Sequence, residues 1–102
     1  MKKIIDGFRY DTDKADKVCD ICEGGKGDFR HLDCALYCTR RAKRFYLAGF
    51  GGAMTVFAHR CTDESLCGWE DIIPLSMEDA RRYAEKYANV EQIEKFFKVE
   101  EA

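Results

Sequence analysis

Six cysteines and two histidines are the side chains of this chain with the most specific chemistry. The thiols fall as Cys19-x2-Cys22, Cys34-x3-Cys38 and Cys61-x5-Cys67. Paired cysteines of this kind can hold zinc, which wants four ligands on a tetrahedron with Zn–S near ~2.3 Å. A cage of Cys19, Cys22, Cys34 and Cys38 has that outline, and His31 or His59 could replace one thiolate. Spacing argues the other way. On a strand, Cys34 and Cys38 stand roughly 13 Å apart at ~3.3 Å per residue, too far to share one ion. Only a helix or a tight turn would bring them near ~6 Å. The first pair also lacks a glycine directly behind its second cysteine, because Glu23 precedes Gly24. The expectation is no bound metal or other cofactor, with the cysteines packed as small hydrophobes.

Other thiol chemistry is less well provided for. A redox pair at Cys19 and Cys22 would want a helix N-terminus to lower the first thiol's pKa, and Lys17-Val18 reads as strand. Cys61 and Cys67 flank a loop and could bridge, but a reducing cytosol disfavours that bond. His31 lies near Asp33 and Cys34, without an orienting third group or an oxyanion turn. Phosphate loops, nucleophile elbows and metalloprotease signatures are absent. No enzyme is expected.

A second cluster is cationic. Arg40, Arg41, Lys43 and Arg44 sit among Tyr37, Phe45 and Tyr46, and cations interleaved with aromatics suit phosphate contact and base stacking. Tyr37, Arg40, Arg41, Lys43, Arg44 and Tyr46 are therefore the candidate partner-binding residues. Charge is divided along the chain: residues 1–60 carry 12 Lys/Arg against 8 Asp/Glu, and residues 61–102 carry 5 against 11. Such a division suggests one basic and one acidic surface able to steer a partner. The acidic half would repel phosphate, so a protein partner is preferred over nucleic acid.

These residues need a scaffold. Residues 36–52 read as an apolar strand, a basic turn of three to five residues, an aromatic strand and a glycine-rich exit. Period 2 sends Phe45 and Leu47 to one face, and Tyr46, Ala48 and Phe50 to the other. Before this hairpin, Ile4-Ile5, Asp6-Gly7 and Phe8 to Tyr10 predict a strand pair around a turn. Asp11-Thr12-Asp13 could cap one helical turn. Residues 17–23 predict a strand with Val18 and Cys22 on one face and Cys19 and Ile21 on the other; residues 24–28 read as a connection. Past the glycines, 54–59 predicts another strand and 61–71 an exposed loop. Pro74 places the extended 72–75 segment at a sheet edge.

Ser76 gives the clearest helix start, with Glu78 and Asp79 in the first turn. A helix over 77–88 buries Ala80, Tyr83, Ala84 and Tyr87 at helical spacing. Asn89 ends it, and 90–99 forms a second helix with Ile93, Phe96 and Phe97 inward. With 46% hydrophobic and 13% aromatic residues in 102, the chain can fill one modest core. The reading is a single α+β domain: one antiparallel sheet of about four to six strands with one or two C-terminal helices packed on it. No apolar run approaches the roughly 20 residues that span a bilayer, and the start lacks a secretory apolar segment. A cytoplasmic protein is expected, with no membrane association.

Several segments together carry a family likeness: MKKIIDGFRYDTDKAD, the Asp28-Phe29 pair, LYCTRRAKRFYLAGFGG and CGWEDIIPLSMEDARRYAEKY. In order over residues 1 to about 88, the chain resembles a group of small proteins of Gram-positive bacteria and their phages and plasmids. Ala42 and Lys43 depart from it where the group places glycine, and cysteines 19, 22, 34 and 38 are not part of its pattern. Related mobile-element proteins include inhibitors of CRISPR nucleases. The resemblance thus implies a compact protein that acts by binding, an anti-CRISPR that occludes a Cas nuclease or its ribonucleoprotein. Its contact surface would be the basic turn with its tyrosines, or acidic helices that mimic phosphate. The rival expectation is a small zinc-stabilised nucleic-acid-binding module.

Overall fold

The computed structural model describes residues 1–25, 28–60 and 65–102. β1 (Lys2–Ile5) and β2 (Phe8–Asp11) form an antiparallel hairpin. Asp6 and Gly7 turn it with φ of 52° and 81°, the two left-handed positions of a primed hairpin turn. Asp11 then caps a single 3₁₀ turn, Thr12–Lys14, its carboxylate accepting the Asp13 amide at 3.0 Å. From there the chain enters β3 (Ala15–Glu23), β4 (Leu32–Thr39) and β5 (Phe45–Gly51). A small pair, β6 (His59–Arg60) and β7 (Leu66–Cys67), precedes β8 (Trp69–Leu75). Two helices follow, α1 (Met77–Tyr87) and α2 (Val90–Phe96).

The main sheet runs in the order β3-β4-β5-β8, every neighbour antiparallel. This is the expected α+β arrangement, with Pro74 on the edge strand β8, where a missing N–H costs no ladder bond. Alternation divides β5 as expected. Phe45 and Leu47 join Ile21, Cys34, Leu36 and Cys38 in a core closed by Ala80 and Ala84 of α1 and by Phe97. The two alanines are fully buried, which lets the α1 backbone sit close to the strands. Phe97 stacks on Phe45 with centroids 4.8 Å apart. On the opposite face, Tyr46, Ala48 and Ile72 lie under Tyr10 of the β1–β2 hairpin. Both helix starts are capped. The Ser76 hydroxyl accepts the Asp79 amide at 3.1 Å, and Asn89 and Gln92 bond reciprocally in a capping box.

Several expectations need correction. Residues 54–58 form turns and not a strand, and only His59 of the expected strand is extended, as the first residue of β6: Thr55 Oγ1 donates to the Gly52 carbonyl and accepts the Phe57 amide. A hydroxyl that satisfies the local backbone this way competes with a ladder, and only Phe57 of that stretch is buried. The region read as a loop over 61–71 contains β7 and the first half of β8; residues 61–64 lie outside the described residues. Trp69 to Asp71 pair with Gly51 to Gly49, a cross-strand fit that local polarity hides. In β3, the register shifts between Lys17 and Cys19. That bulge turns Val18 into the same core as Cys19 and Ile21, where strict alternation had set it apart. Asn89 starts α2 as well as following α1, and α2 stops at Phe96, because Phe97 leaves helical geometry with φ −129° and ψ 150°. Cys67 is disulfide-bonded, against the expectation of a reduced thiol; Cys61 lies outside the described residues. Compartment redox suggested otherwise, whereas the β6–β7 pair folds this stretch back on itself. Among the described residues, no helix is long and apolar enough to cross a membrane.

Candidate binding surface

The basic turn over 40–44 joins β4 to β5. Its neck is closed twice: the Thr39 amide donates to the Arg44 carbonyl at 2.8 Å, and the Arg44 amide donates to Thr39 Oγ1 at 2.9 Å. Lys43 has φ 54°, the left-handed conformation that glycine adopts most easily. The turn thus occupies the backbone shape that a glycine would favour, with a lysine in its place.

Around this frame the cations fan out. Arg40, Arg41, Lys43 and Arg44 are all exposed. Arg40 is tied to Asp16 at 3.1 Å. The Arg44 guanidinium lies 3.7 Å above the ring of Phe8, a cation–π contact with the other hairpin. Arg41 and Lys43 make no ion pair among the described residues.

The two tyrosines part company with the turn. Tyr46 is 0% exposed and so cannot meet a partner from the folded state, which corrects its place among the surface candidates. Alternation put it on the face away from Phe45 and Leu47, and there the β1–β2 hairpin covers it, with Tyr10 edge-on at 5.2 Å and 71°. Tyr37 is half-buried and stacks on Tyr46 at 5.4 Å. The Tyr46 hydroxyl finds no hydrogen-bond partner among the described residues. Burial pushes its ionisation well above the usual phenol range, and Tyr37, Asp11 and Cys38 push in the same direction.

Sequence reading missed what the first hairpin contributes. Arg9 and Lys14 are exposed beside the turn, and with Asp11, Thr39, Arg40 and Arg41 they line a hollow of about 350 Å³. A second hollow of about 270 Å³ is lined by Phe8, Tyr10, Ala42 and Arg44, and shares Arg9, Thr39 and Arg41 with the first. The two form one groove between β2 and the 40–44 turn. Its acids are engaged: Asp11 caps the 3₁₀ turn, and nearby Asp16 holds Arg40. Hollows beside α1 have a different character, with Arg81 and Lys98 facing Glu85 and Glu100 in one, and Asp79 paired to Arg82 in another. The helices themselves are nearly neutral. Glu78, Asp79, Glu85, Glu91 and Glu94 are set against Arg81, Arg82, Lys86 and Lys95.

The thiols occupy other ground. Cys34 and Cys38 lie on the extended β4, and with Cys19 they are buried in the helix-covered core. Cys22 is exposed and paired in register with Asp33. Burial, then Asp33 and the neighbouring thiols, push Cys34 up to about 12. Burial likewise raises Cys19 and Cys38. Cys34 and Cys38 stand four residues apart on one extended strand, roughly 13 Å at ~3.3 Å per residue, too far to share one ion. Among the described residues, no group of three His, Cys, Asp or Glu side chains is placed to hold a metal. His31 does not meet Cys34, which points into the core; its ring lies 3.3 Å from the Gly24 carbonyl and faces Phe50.

No protein-family model matches the chain, and neither a curated protein nor a solved structure matches it.

Proposed function

We propose that this chain is a non-enzymatic binding protein of a mobile genetic element, an anti-CRISPR that occludes a Cas nuclease or its ribonucleoprotein through its basic end. The observation that carries the binding surface is the convergence of Arg9 and Lys14 from one segment with Arg40, Arg41, Lys43 and Arg44 from another. The partner class comes from the sequence resemblance of residues 1 to about 88. A cationic groove favours an acidic or phosphate-bearing face on that partner and speeds encounter at low salt. The near-neutral helix pair is a poorer phosphate mimic, so the basic end is the preferred contact.

The test is a pull-down of a type II nuclease with and without guide, followed by DNA cleavage in the presence of excess protein. Capture of the guide-loaded nuclease with loss of cleavage supports the proposal. Undiminished cleavage, with no capture, rejects it for that nuclease. The zinc-stabilised alternative gains nothing from strand-borne, buried thiols. Near-stoichiometric zinc in native mass spectrometry of freshly purified protein would restore it.

A further inference from the structure

The groove beside the 40–44 turn has features that a simple acid-binding patch does not need. Its two hollows adjoin and share Arg9, Thr39 and Arg41 as a common wall, so one elongated ligand can lie across both. One hollow is lined only by charged and hydroxyl-bearing residues, with Lys14, Arg40 and Arg41 around it. The other adds an aromatic floor: Phe8 keeps 42% of its surface exposed while Arg44 stacks on it. Thr39 Oγ1 accepts the Arg44 amide, which leaves the hydroxyl proton free to donate into the groove. Cations along a track with an exposed, guanidinium-backed ring beside it are the parts that hold single strands.

We propose that this groove binds the backbone of single-stranded nucleic acid, with successive phosphates on Arg9, Arg41 and the Lys14–Arg40 pair and a base on the Phe8–Arg44 stack. An acidic polypeptide would use the cations but leave the ring face idle. A duplex would hold its bases in its own stack and away from Phe8. The overall charge of −2 does not oppose this, because the groove itself sets Arg9, Lys14, Arg40, Arg41 and Arg44 against Asp11, which caps the 3₁₀ turn, and Asp16, which holds Arg40. Glu70 and Asp33 lie where Phe50 pairs with both, at the far ends of strands seven and eight residues long. At ~3.3 Å per residue that is about 20 Å away, beyond the screening length of ~8 Å at physiological salt. The inference rests on the reading that the basic end is the contact surface, and it names the RNA of a ribonucleoprotein as the part contacted.

Fluorescence anisotropy of the full chain with a labelled oligouridylate of about 12 nucleotides, spanning one site of the usual size, tests it without any nuclease. Three neutralised phosphates predict binding about 20-fold weaker on going from ~50 to ~200 mM salt, since the single-strand slope is ≈ 0.7 per contact. The double variant Arg9→Gln, Arg41→Gln should weaken binding at least about tenfold and lower that slope by about 1.4. Phe8→Leu, which keeps an apolar side chain, should cost about fivefold or more through lost stacking while the slope stays the same. Lys95→Gln on α2 should change neither quantity. Thermal melts of each variant confirm folding.

No binding at ~50 mM salt, or equal binding by the double variant, overturns the proposal. So does displacement of the RNA by an oligoglutamate of equal charge together with a Phe8→Leu variant that binds normally; that result assigns the groove to acidic protein. RNA binding without nuclease capture would keep this inference and sink the anti-CRISPR reading, and the reverse result would do the opposite.

Discussion

One face of the four-stranded sheet is closed by helices through aliphatic side chains, thiols and alanines; the other is closed by a hairpin through Tyr10, Tyr37 and Tyr46. On the first face, Leu36, Leu47, Val18 and Ile21 reach almost complete burial with no polar atom to satisfy. Each such side chain contributes about 1.5–3 kcal/mol by leaving water. The second face is smaller, carries a buried phenol without a hydrogen-bond partner among the described residues, and ends in exposed cations. Stability and recognition are thus divided between the two sides of one sheet. A face sealed by helices is free to be dry. A face sealed by a narrow hairpin keeps polar groups near its rim, and there the basic groove forms.

Cysteine reactivity separates the faces most sharply. In native protein at pH 8, iodoacetamide followed by mass spectrometry should modify exposed Cys22 readily and leave Cys34 intact. A thiol near 12 is ionised to only about 1 part in 10⁴ at that pH, and burial adds a barrier of access. Comparable labelling of both would mean that the helix-covered core opens easily.

Packing gives the next largest contrast. Leu47→Ala should lower the free energy of unfolding by about 2–5 kcal/mol in urea titration, because it empties a site enclosed on every side. Tyr46→Phe lies next to it on the same strand and points the other way. It should leave stability unchanged or raise it by up to about 1 kcal/mol, since it removes a buried hydroxyl that makes no hydrogen bond among the described residues. A loss of about 1 kcal/mol or more on Tyr46→Phe would show that the phenol has a partner and that the tyrosine face is as fully satisfied as the aliphatic one.

The smallest effect concerns how the hairpin is tethered. Lys3 donates to Asp71 of β8 at 2.7 Å. Partial burial pushes the Asp71 carboxyl up, but the Lys3 hydrogen bond, the Ile72 amide and nearby positive charge together hold it below the usual carboxylate range. A carboxyl depressed in the folded state stabilises fully above its unfolded value and loses that contribution as pH falls through the folded one. Lys3→Ala should therefore lower stability slightly at pH 7, and the two proteins should converge as pH falls below the usual carboxylate range and Asp71 is protonated. A difference that persists unchanged in acid would assign the Lys3 effect to packing.

Much of the frame was legible because it is local. Asp6-Gly7 needs left-handed backbone and so marks a tight turn; Ser76 before Glu78 and Asp79 marks a helix start; Pro74 marks an edge. Alternation in 45–50 named the two faces of β5 correctly. The failures share one cause. Thr55 bonds its own neighbours and dissolves a segment whose composition favours a strand. Trp69 and Glu70 look like loop residues until Gly51 and Phe50 pair with them. Val18 changes sides through a bulge that depends on the fit between β3 and β4.

By itself the chain determined most of its elements, its α+β class and the basic composition of the 40–44 turn, because propensity, capping and turn chemistry act over a few residues. Only the tertiary structure decided that Tyr46 is a buried pillar and that Phe8, Arg9 and Lys14 complete the groove. Those outcomes depend on where one hairpin lands on a sheet more than twenty residues further on, and contacts between distant segments are set by packing and not by neighbours in sequence.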